Sequence, residues 1–262
     1  MNRSKVVVLN SASVDGRLAV SPGKLLLYGD ERWQAIESWG PIAPEESVFA
    51  RLKALHCPQA TLEGSGSFVL ASNTPEPLPP YVGDAAPLYT DHLPEERLTD
   101  PEHRGWFTVV DGRGRGRNWI TDGSTFGPDW AGWHLLLFVG HHTPPDYLAY
   151  LRNAGIPYLV AGTGPVALDL ALEKLHTKLG VDCVLSTAGG RLNGALLRAG
   201  LVDEINVEFL PAVIGGTETP SLYDASSLTE DEWPVRLNLI SCQLQSGRVW
   251  LRYRVCMSGE DS

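Results

Sequence analysis

Basic charge is scarce in this chain of 262 residues: 21 lysines and arginines stand against 31 aspartates and glutamates, a formal net charge of −10. That balance argues against a nucleic-acid partner, because neutralising a phosphate backbone needs a basic face. A small anion is not excluded, since a few aimed amides and one or two arginines can hold it locally. Cysteine is scarce too. Cys57, Cys183, Cys242 and Cys256 are scattered without a CxxC spacing, which offers no zinc signature and fits a reducing cytoplasm. Long apolar runs are missing: none reaches the roughly 18 residues that a spanning helix needs, and no signal-peptide core follows Met1–Lys5. The expectation is therefore a cytoplasmic protein with no membrane partner. What is present is ordinary globular material, 43% hydrophobic and 20% charged, expected to form a single domain over residues 1–262.

Val6-Val7-Val8-Leu9 reads as a strand buried on both faces, and Asn10–Gly16 after it ends in an Asp-Gly turn. Helices are predicted at Asp30–Trp39 and Pro44–His56, and a short strand at Ala60–Glu63 precedes Gly64-Ser65-Gly66-Ser67. From Ser72 to Gly105 proline is dense and periodicity is lost, which predicts a long surface excursion. Strands at Trp106–Val110, Trp133–Val139, Tyr158–Ala161, Cys183–Ser186 and Glu204–Leu210 then alternate with helices at Pro144–Asn153, Pro165–Leu179 and Arg191–Ala199. Such alternation calls for an α/β fold with a mostly parallel sheet. The end changes style. Arg236–Gln245 and Arg248–Val255 flank Ser246-Gly247, an antiparallel hairpin with Val249, Leu251, Tyr253 and Val255 on its expected buried face.

Two strand–loop–helix junctions carry glycines. Ser186–Asn193 holds adjacent Gly189 and Gly190 at the opening of a helix that Gly200 stops. Bare glycines allow close backbone approach, and first-turn amides attract phosphate. A tight turn with no ligand is the other reading. At the second junction, Gly162-Thr163-Gly164-Pro165-Val166-Ala167 satisfies GxGxx[G/A], but Asp182 precedes its strand, where the dinucleotide fingerprint wants an acid at the strand end. It is read as a phosphate or ribose loop, or as a plain turn with Pro165 at the first helical position.

The run Ala188-Gly189-Gly190-Arg191-Leu192-Asn193-Gly194-Ala195-Leu196-Leu197-Arg198-Ala199-Gly200-Leu201-Val202-Asp203-Glu204-Ile205, continuing to Pro211 and Gly215-Gly216, together with Ala12-Ser13-Val14-Asp15-Gly16-Arg17-Leu18-Ala19, resembles the riboflavin-pathway pyrimidine reductases: the reductase half of the bifunctional deaminase–reductases and their stand-alone relatives. The resemblance implies a dihydrofolate-reductase-like three-layer α/β/α fold, NADPH as hydride donor, a homodimer, and reduction of a phosphoribosylaminopyrimidine from ribosyl to ribityl. Carried over by position, Ala12 borders the nicotinamide. Ser67 stands where the family has a threonine touching the cofactor, Gly112 lies along it, and Gly189, Gly190, Arg191, Leu192 and Asn193 cradle its diphosphate. The deaminase signature is absent.

Departures fall on the substrate side. Where the family places paired aspartates, one implicated in catalysis, this chain has Leu70-Ala71-Ser72-Asn73, and the glutamate before the glycine run is Thr187. An arginine that helps hold substrate phosphate falls near Leu55, with Arg51 and Lys53 as substitutes. Asp15 is the one matched carboxylate near the expected nicotinamide; it orients substrate, relays a proton, or caps its turn. Arg113, Arg115 and Arg117 form a cationic loop for a phosphate, or a solvated turn, and Arg191 competes for a 2′-phosphate. His141-His142 lacks a third ligand at suitable spacing, so no metal site is expected. A non-catalytic nucleotide binder and a pterin or dihydrofolate-type reductase stay open as other functions. A bulky residue at Gly190 is expected to abolish cofactor binding while sparing the fold.

Overall fold

The computed structural model describes residues 2–23, 30–70, 72–127 and 130–256; Ala71 of the departing segment lies outside them. The chain divides into two compact units, one formed by residues 1–4 and 58–184, the other by 5–57 and 185–262.

In the first unit, β2 (Ala60–Gly64), β3 (Gly105–Val110), β4 (Trp133–Val139) and β5 (Tyr158–Val160) are neighbours in the order β5-β4-β3-β2. All pairs are parallel, with Glu63 opposite Val109 and Val110 opposite Phe138. Every residue of β4 is buried, as a strand covered on both faces requires. Helix α4 (Pro145–Asn153) buries Tyr147, Leu148 and Leu151 against Val109, Leu135 and Leu137. Helix α5 (Leu168–Leu179) buries Ala171, Leu172 and Leu175 at 3–4 residue spacing and stops at Gly180 in the left-handed region.

The stretch from Ser72 to Gly105 lies mostly at the surface, with Leu88 and Gly105 its buried residues, and it is tied down at several points. Leu88 is buried in the core, Tyr89 Oη donates to the Thr143 carbonyl, and Asp91 accepts from the Val160 amide at 2.8 Å. His92 bridges to Tyr158 in antiparallel fashion, and a single-turn helix α3 spans Glu95–Leu98. One apolar anchor plus bonds between side chains and backbone produces no hydrophobic period, so the pattern hides the packing.

In the second unit, β1 (Lys5–Ser13) lies parallel to β7 (Glu204–Leu210), which pairs antiparallel with β9 (Arg248–Val255), and β9 with β8 (Leu237–Gln245). The remaining strand, β6 (Cys183–Ser186), is divided by the unit boundary. Helices α1 (Glu31–Ser38), α2 (Val48–His56) and α6 (Gly190–Arg198) complete the second unit. The predicted helix from Pro44 breaks, because Ser47 turns extended and caps α2 by accepting from the Ala50 amide. The mostly parallel α/β architecture with an antiparallel C-terminal hairpin is as expected.

The hairpin turn is Ser246-Gly247, φ 51° and 78°, the pair of left-handed residues that a two-residue turn demands. Both faces of the hairpin are partly covered: on the expected face Val255 is buried, and on the other Trp250 is buried to the same 7% exposure. Trp250 is buried with Nε1 donating to Asn206 Oδ1 at 3.1 Å, and Arg248 and Arg252 flank it, paired with Glu208 at 3.2 Å and Glu204 at 3.0 Å. Arginine looked like solvent-facing polarity, but carboxylates on β7 make that face a buried ionic layer.

Burial opposes ionisation of Glu204, yet hydrogen bonds from Arg252, Asn206 and His56 outweigh it and lower its pKa. A depressed carboxyl pKa stabilises the fold above the unfolded value and loses that contribution as pH falls through the carboxylate range. Glu204→Gln should therefore flatten the acid side of the stability–pH curve in denaturant titrations; a slope equal to wild type would remove Glu204 as its source.

Candidate active site

In the second unit the glycine turn before α6 is held by amide side chains. Asn193, fully buried, donates from Nδ2 to Asn10 Oδ1 at 2.9 Å and to the Ala188 carbonyl at 2.7 Å, while its Oδ1 accepts from Ser186 Oγ at 2.7 Å. Asn10 also donates to the Ala188 carbonyl at 3.0 Å. The Asn193 side chain thus commits both amide hydrogens and one acceptor position, three of its four possible bonds, to fixing the turn. Asn10, which the sequence reading passed over, is its partner; a buried asparagine in an apolar strand was the available signal.

Gly189 is extended (φ −70°, ψ 170°) and no side chain caps the first turn of α6, although the Asp224 carboxylate stands beside the helix start, its Oδ2 3.1 Å from where a Gly190 Cβ would lie. Gly190 is buried, and a Cβ there would collide with the Ser221 carbonyl oxygen and lie 3.0 Å from the Asp224 amide. The glycine is required by this chain's own backbone. Sparing of the fold on its replacement is thereby corrected. Arg191 is exposed, Leu192 is half-buried, and the Leu192 amide bonds back to the Gly189 carbonyl.

Ala12 is buried near the end of β1, opposite Phe209. Asp15 follows it. Its carboxylate accepts from Ser13 Oγ at 2.6 Å and from the Ile214 and Gly215 amides at 3.0 and 2.7 Å, and these bonds, the Ser13 hydroxyl first, drive its pKa far below the usual carboxylate range. Asp15 is thus a fixed anion that ties the β1 loop to the segment after β7. Arg51 on α2 donates to Gln243 Oε1 on β8 at 3.0 Å; Lys53, on the same helix, is half-buried.

In the first unit Ser67 is buried in the turn after β2 and donates to Glu63 Oε2 at 2.7 Å. Gly112 follows β3, its carbonyl accepting from Thr143 Oγ1 at 2.9 Å. The adjacent Asp111 is buried and accepts from the Arg115 and Gly116 amides (3.1 and 2.8 Å) and from Tyr147 Oη (2.8 Å), which itself accepts from Trp119 Nε1. Burial, then the Asp111 charge, pushes the Tyr147 phenol upward, so it stays protonated. The arginine loop is consequently ordered. Arg115 bonds the Leu70 and Asn73 carbonyls, and Arg117 bonds Glu76 O and lies over the Tyr147 ring. Arg113 is exposed with no side-chain partner among the described residues.

Gly162 (φ +98°) and Gly164 lie in a loop stitched to Gly140–His142: His141 Nδ1 meets the Gly162 carbonyl at 2.7 Å, and the His142 amide bonds Gly164 O. Helix α5 begins only at Leu168, after an uncapped Ala167, so Pro165 is not its first residue and the glycines do not open a helix. This loop borders a cleft of about 550 Å³ lined by Tyr89, Asp91, His141, Thr163, Lys174 and Lys178, in which both lysines bond Asp91. Among the described residues, no three His, Cys, Asp or Glu side chains are grouped to hold a metal.

Gly190→Ala should destabilise the protein by about 1–3 kcal/mol through overpacking, read as a lower denaturation midpoint; unchanged stability would contradict the close approach of Ser221.

Residues 135–251 match the family model described as RibD C-terminal domain. A 2,5-diamino-6-ribosylamino-4(3H)-pyrimidinone 5′-phosphate reductase of Methanothermobacter thermautotrophicus is 37% identical over 104 residues, 40% of this chain and 47% of that protein. The Archaeoglobus fulgidus protein of the same name is 40% identical over 92 residues, 35% and 41% of the two chains. The matched segments thus span less than half the length of these curated relatives. Among solved structures, a pyrimidine reductase-like protein of Corynebacterium diphtheriae superposes with TM-score 0.62 at 16% identity, covering 98% of this chain and 94% of that one. Acinetobacter baumannii RibD gives 0.57 at 18%, covering 98% and 59%. Over residues 135–251 the chain matches the RibD C-terminal domain, and over almost its whole length it has the fold of RibD-type reductases.

Proposed function

We propose that this chain is a nicotinamide-dependent reductase that converts a ribosylaminopyrimidine phosphate, the substrate class in its relatives' names, or a closely related imine. The observation that carries this reading is the Asn193-braced turn at Gly189–Gly190. It opens α6 without a side-chain cap and leaves Arg191 exposed beside it, a donor set that suits a diphosphate. A bound dihydronicotinamide supplies hydride to the carbon of a C=N bond. Beyond the end of β1, Asp15, ionised and locked, orients a polar substrate group through charge. Asn193 acts through the turn it braces.

NADPH is the proposed cofactor over NADH. Arg191 is exposed at the head of α6, beside the glycine turn of its own unit, placed to meet a 2′-phosphate. With eight tryptophans, cofactor binding is readable by fluorescence. NADPH should bind more tightly than NADH, and Arg191→Ala should weaken NADPH by about 10- to 100-fold, the value of a charge-assisted bond, with NADH unchanged. Binding of neither cofactor at millimolar concentration refutes the reductase reading; equal loss for both refutes the role of Arg191 alone.

We also propose a homodimer through β8. This strand exposes Leu239 at 58% and Leu244 at 80%, apolar side chains that a lone monomer rarely displays on a sheet edge. Light scattering should give twice the chain mass for wild type and a monomer for Leu239→Lys/Leu244→Lys; a monomeric wild type would refute it.

A further inference from the structure

The ionic layer on β9 continues beyond Arg252. Residues two apart on a strand share a face, and Arg252 and Arg254 together line a cleft of about 470 Å³ within the second unit. Lys5 at the start of β1 and Glu204 at the start of β7 also border it. Lys5 opens β1 and Ser13 closes it, so eight steps of about 3.3 Å set the cleft roughly 26 Å along the strand from the Asp15 loop. The cleft is thus separate from the candidate active site.

Three cations, Lys5, Arg252 and Arg254, face two carboxylates, Asp203 and Glu204. Glu204 is already crowded. Its Oε1 accepts from Arg252 Nε at 3.0 Å, His56 Nε2 at 3.1 Å and Asn206 Nδ2 at 3.2 Å, and Lys5 Nζ stands 3.8 Å from Oε2. Asp203 Oδ2 accepts from the Val6 amide at 2.7 Å. His56 Nδ1 faces the Lys5 ammonium at 3.4 Å. An ammonium only donates and a carboxylate only accepts, so the His56 ring is neutral, carries its proton on Nε2, and adds no charge. Arg252 commits Nε alone to Glu204, which leaves its two terminal nitrogens for the cleft. Arg254 lies opposite Glu204 in register yet is exposed, with no side-chain partner among the described residues. One positive charge is therefore left over, in a chain whose net charge is −10.

The rest of the lining is apolar. Leu55 at the end of α2 is 53% exposed and Ile240 on β8 is 41% exposed. Strand β8 is irregular there: Leu239 pairs with Tyr253 and Ser241 with Arg252, so Ile240 is the extra residue of a bulge. A bulge re-aims a side chain out of the regular alternation, and this one puts an aliphatic group in the cleft beside two guanidinium groups.

We propose that this cleft binds a small organic carboxylate. Its head takes the planar donor forks of Arg252 and Arg254, whose geometry matches a carboxylate, and its short apolar body lies on Leu55 and Ile240. A single surplus positive charge matches a monoanion. A dianion would leave negative charge beside Asp203 and Glu204, and an organic cation would meet three cations.

The test is calorimetric titration of the full chain with hexanoate, with inorganic phosphate and hexylamine as comparisons. Hexanoate should bind at one site per chain, phosphate at least about 10-fold more weakly, and hexylamine not at all. Arg254→Ala removes no internal contact, so it should keep the wild-type thermal transition while weakening hexanoate by about 10- to 100-fold, the scale of a charge-assisted hydrogen bond. Ile240→Asp should weaken it as well. No hexanoate binding up to about 10 mM, a limit near the weakest specific affinities, overturns the proposal, as does wild-type affinity in Arg254→Ala. Displacement of hexanoate by NADPH, or binding confined to chain concentrations at which light scattering gives a monomer, overturns it too; the latter assigns the cleft to a second copy. None of these outcomes bears on the reductase reading, which the NADPH titration decides.

Discussion

The side-chain amide of Asn193 is the constraint on which the second unit's candidate site depends. A helix start with two glycines and no capping side chain has little reason of its own to hold one geometry. Here three hydrogen bonds converge on one amide group, from Ser186 at the end of β6, to Asn10 on β1 and to the Ala188 carbonyl inside the turn. Each is fully buried, so losing any of them leaves a polar atom without water, at about 1–3 kcal/mol. The other side of the turn is fixed by shape, because Ser221–Asp224 packs where a Gly190 side chain would stand. The amides of the α6 first turn are therefore aimed before any ligand arrives, which reduces the ordering cost of binding.

Asp111 does for the first unit what Asn193 does for the second. A glycine-rich stretch with three arginines would be costly to order, yet one buried carboxylate collects two of its amides and the Tyr147 hydroxyl. Arg115 and Arg117 then turn outward from that hub onto the backbone between Leu70 and Glu76. The loop becomes a scaffold, and only Arg113 among its arginines keeps an exposed guanidinium without a side-chain partner among the described residues. Rigid placement of one cation next to a glycine suits anion recognition better than a flexible basic loop would.

What was legible in the sequence followed from period and bounds. The strands Trp133–Val139 and Glu204–Leu210 were placed residue for residue, because a largely apolar run in the first and alternation of polar and apolar residues in the second leave little choice. The glycine turn before α6 was also readable, as was its place at the head of a helix. What escaped has a common cause: side chains whose polarity suggested solvent but whose partners lie far away in the chain. Arg248 and Arg252 are held by Glu208 and Glu204, Asn193 by Asn10, and the 72–105 stretch is tied down through Asp91 and Tyr89.

An acidic protein that handles an anionic ligand must keep a few cations out of its own ion pairs. Several arginines here are already committed: Arg17, Arg248 and Arg252 are tied to carboxylates, and Arg115, Arg117 and Arg152 to backbone carbonyls. Arg113 and Arg191 are among those that stand exposed, each beside a glycine. Internal pairing costs desolvation that geometry must offset, whereas an exposed guanidinium gains little from a surface partner. An exposed guanidinium beside a glycine turn keeps its electrostatic value for an anion whose arrival displaces water. On a surface of net charge −10, that local arrangement, and not the overall sign, decides which anions the chain can hold.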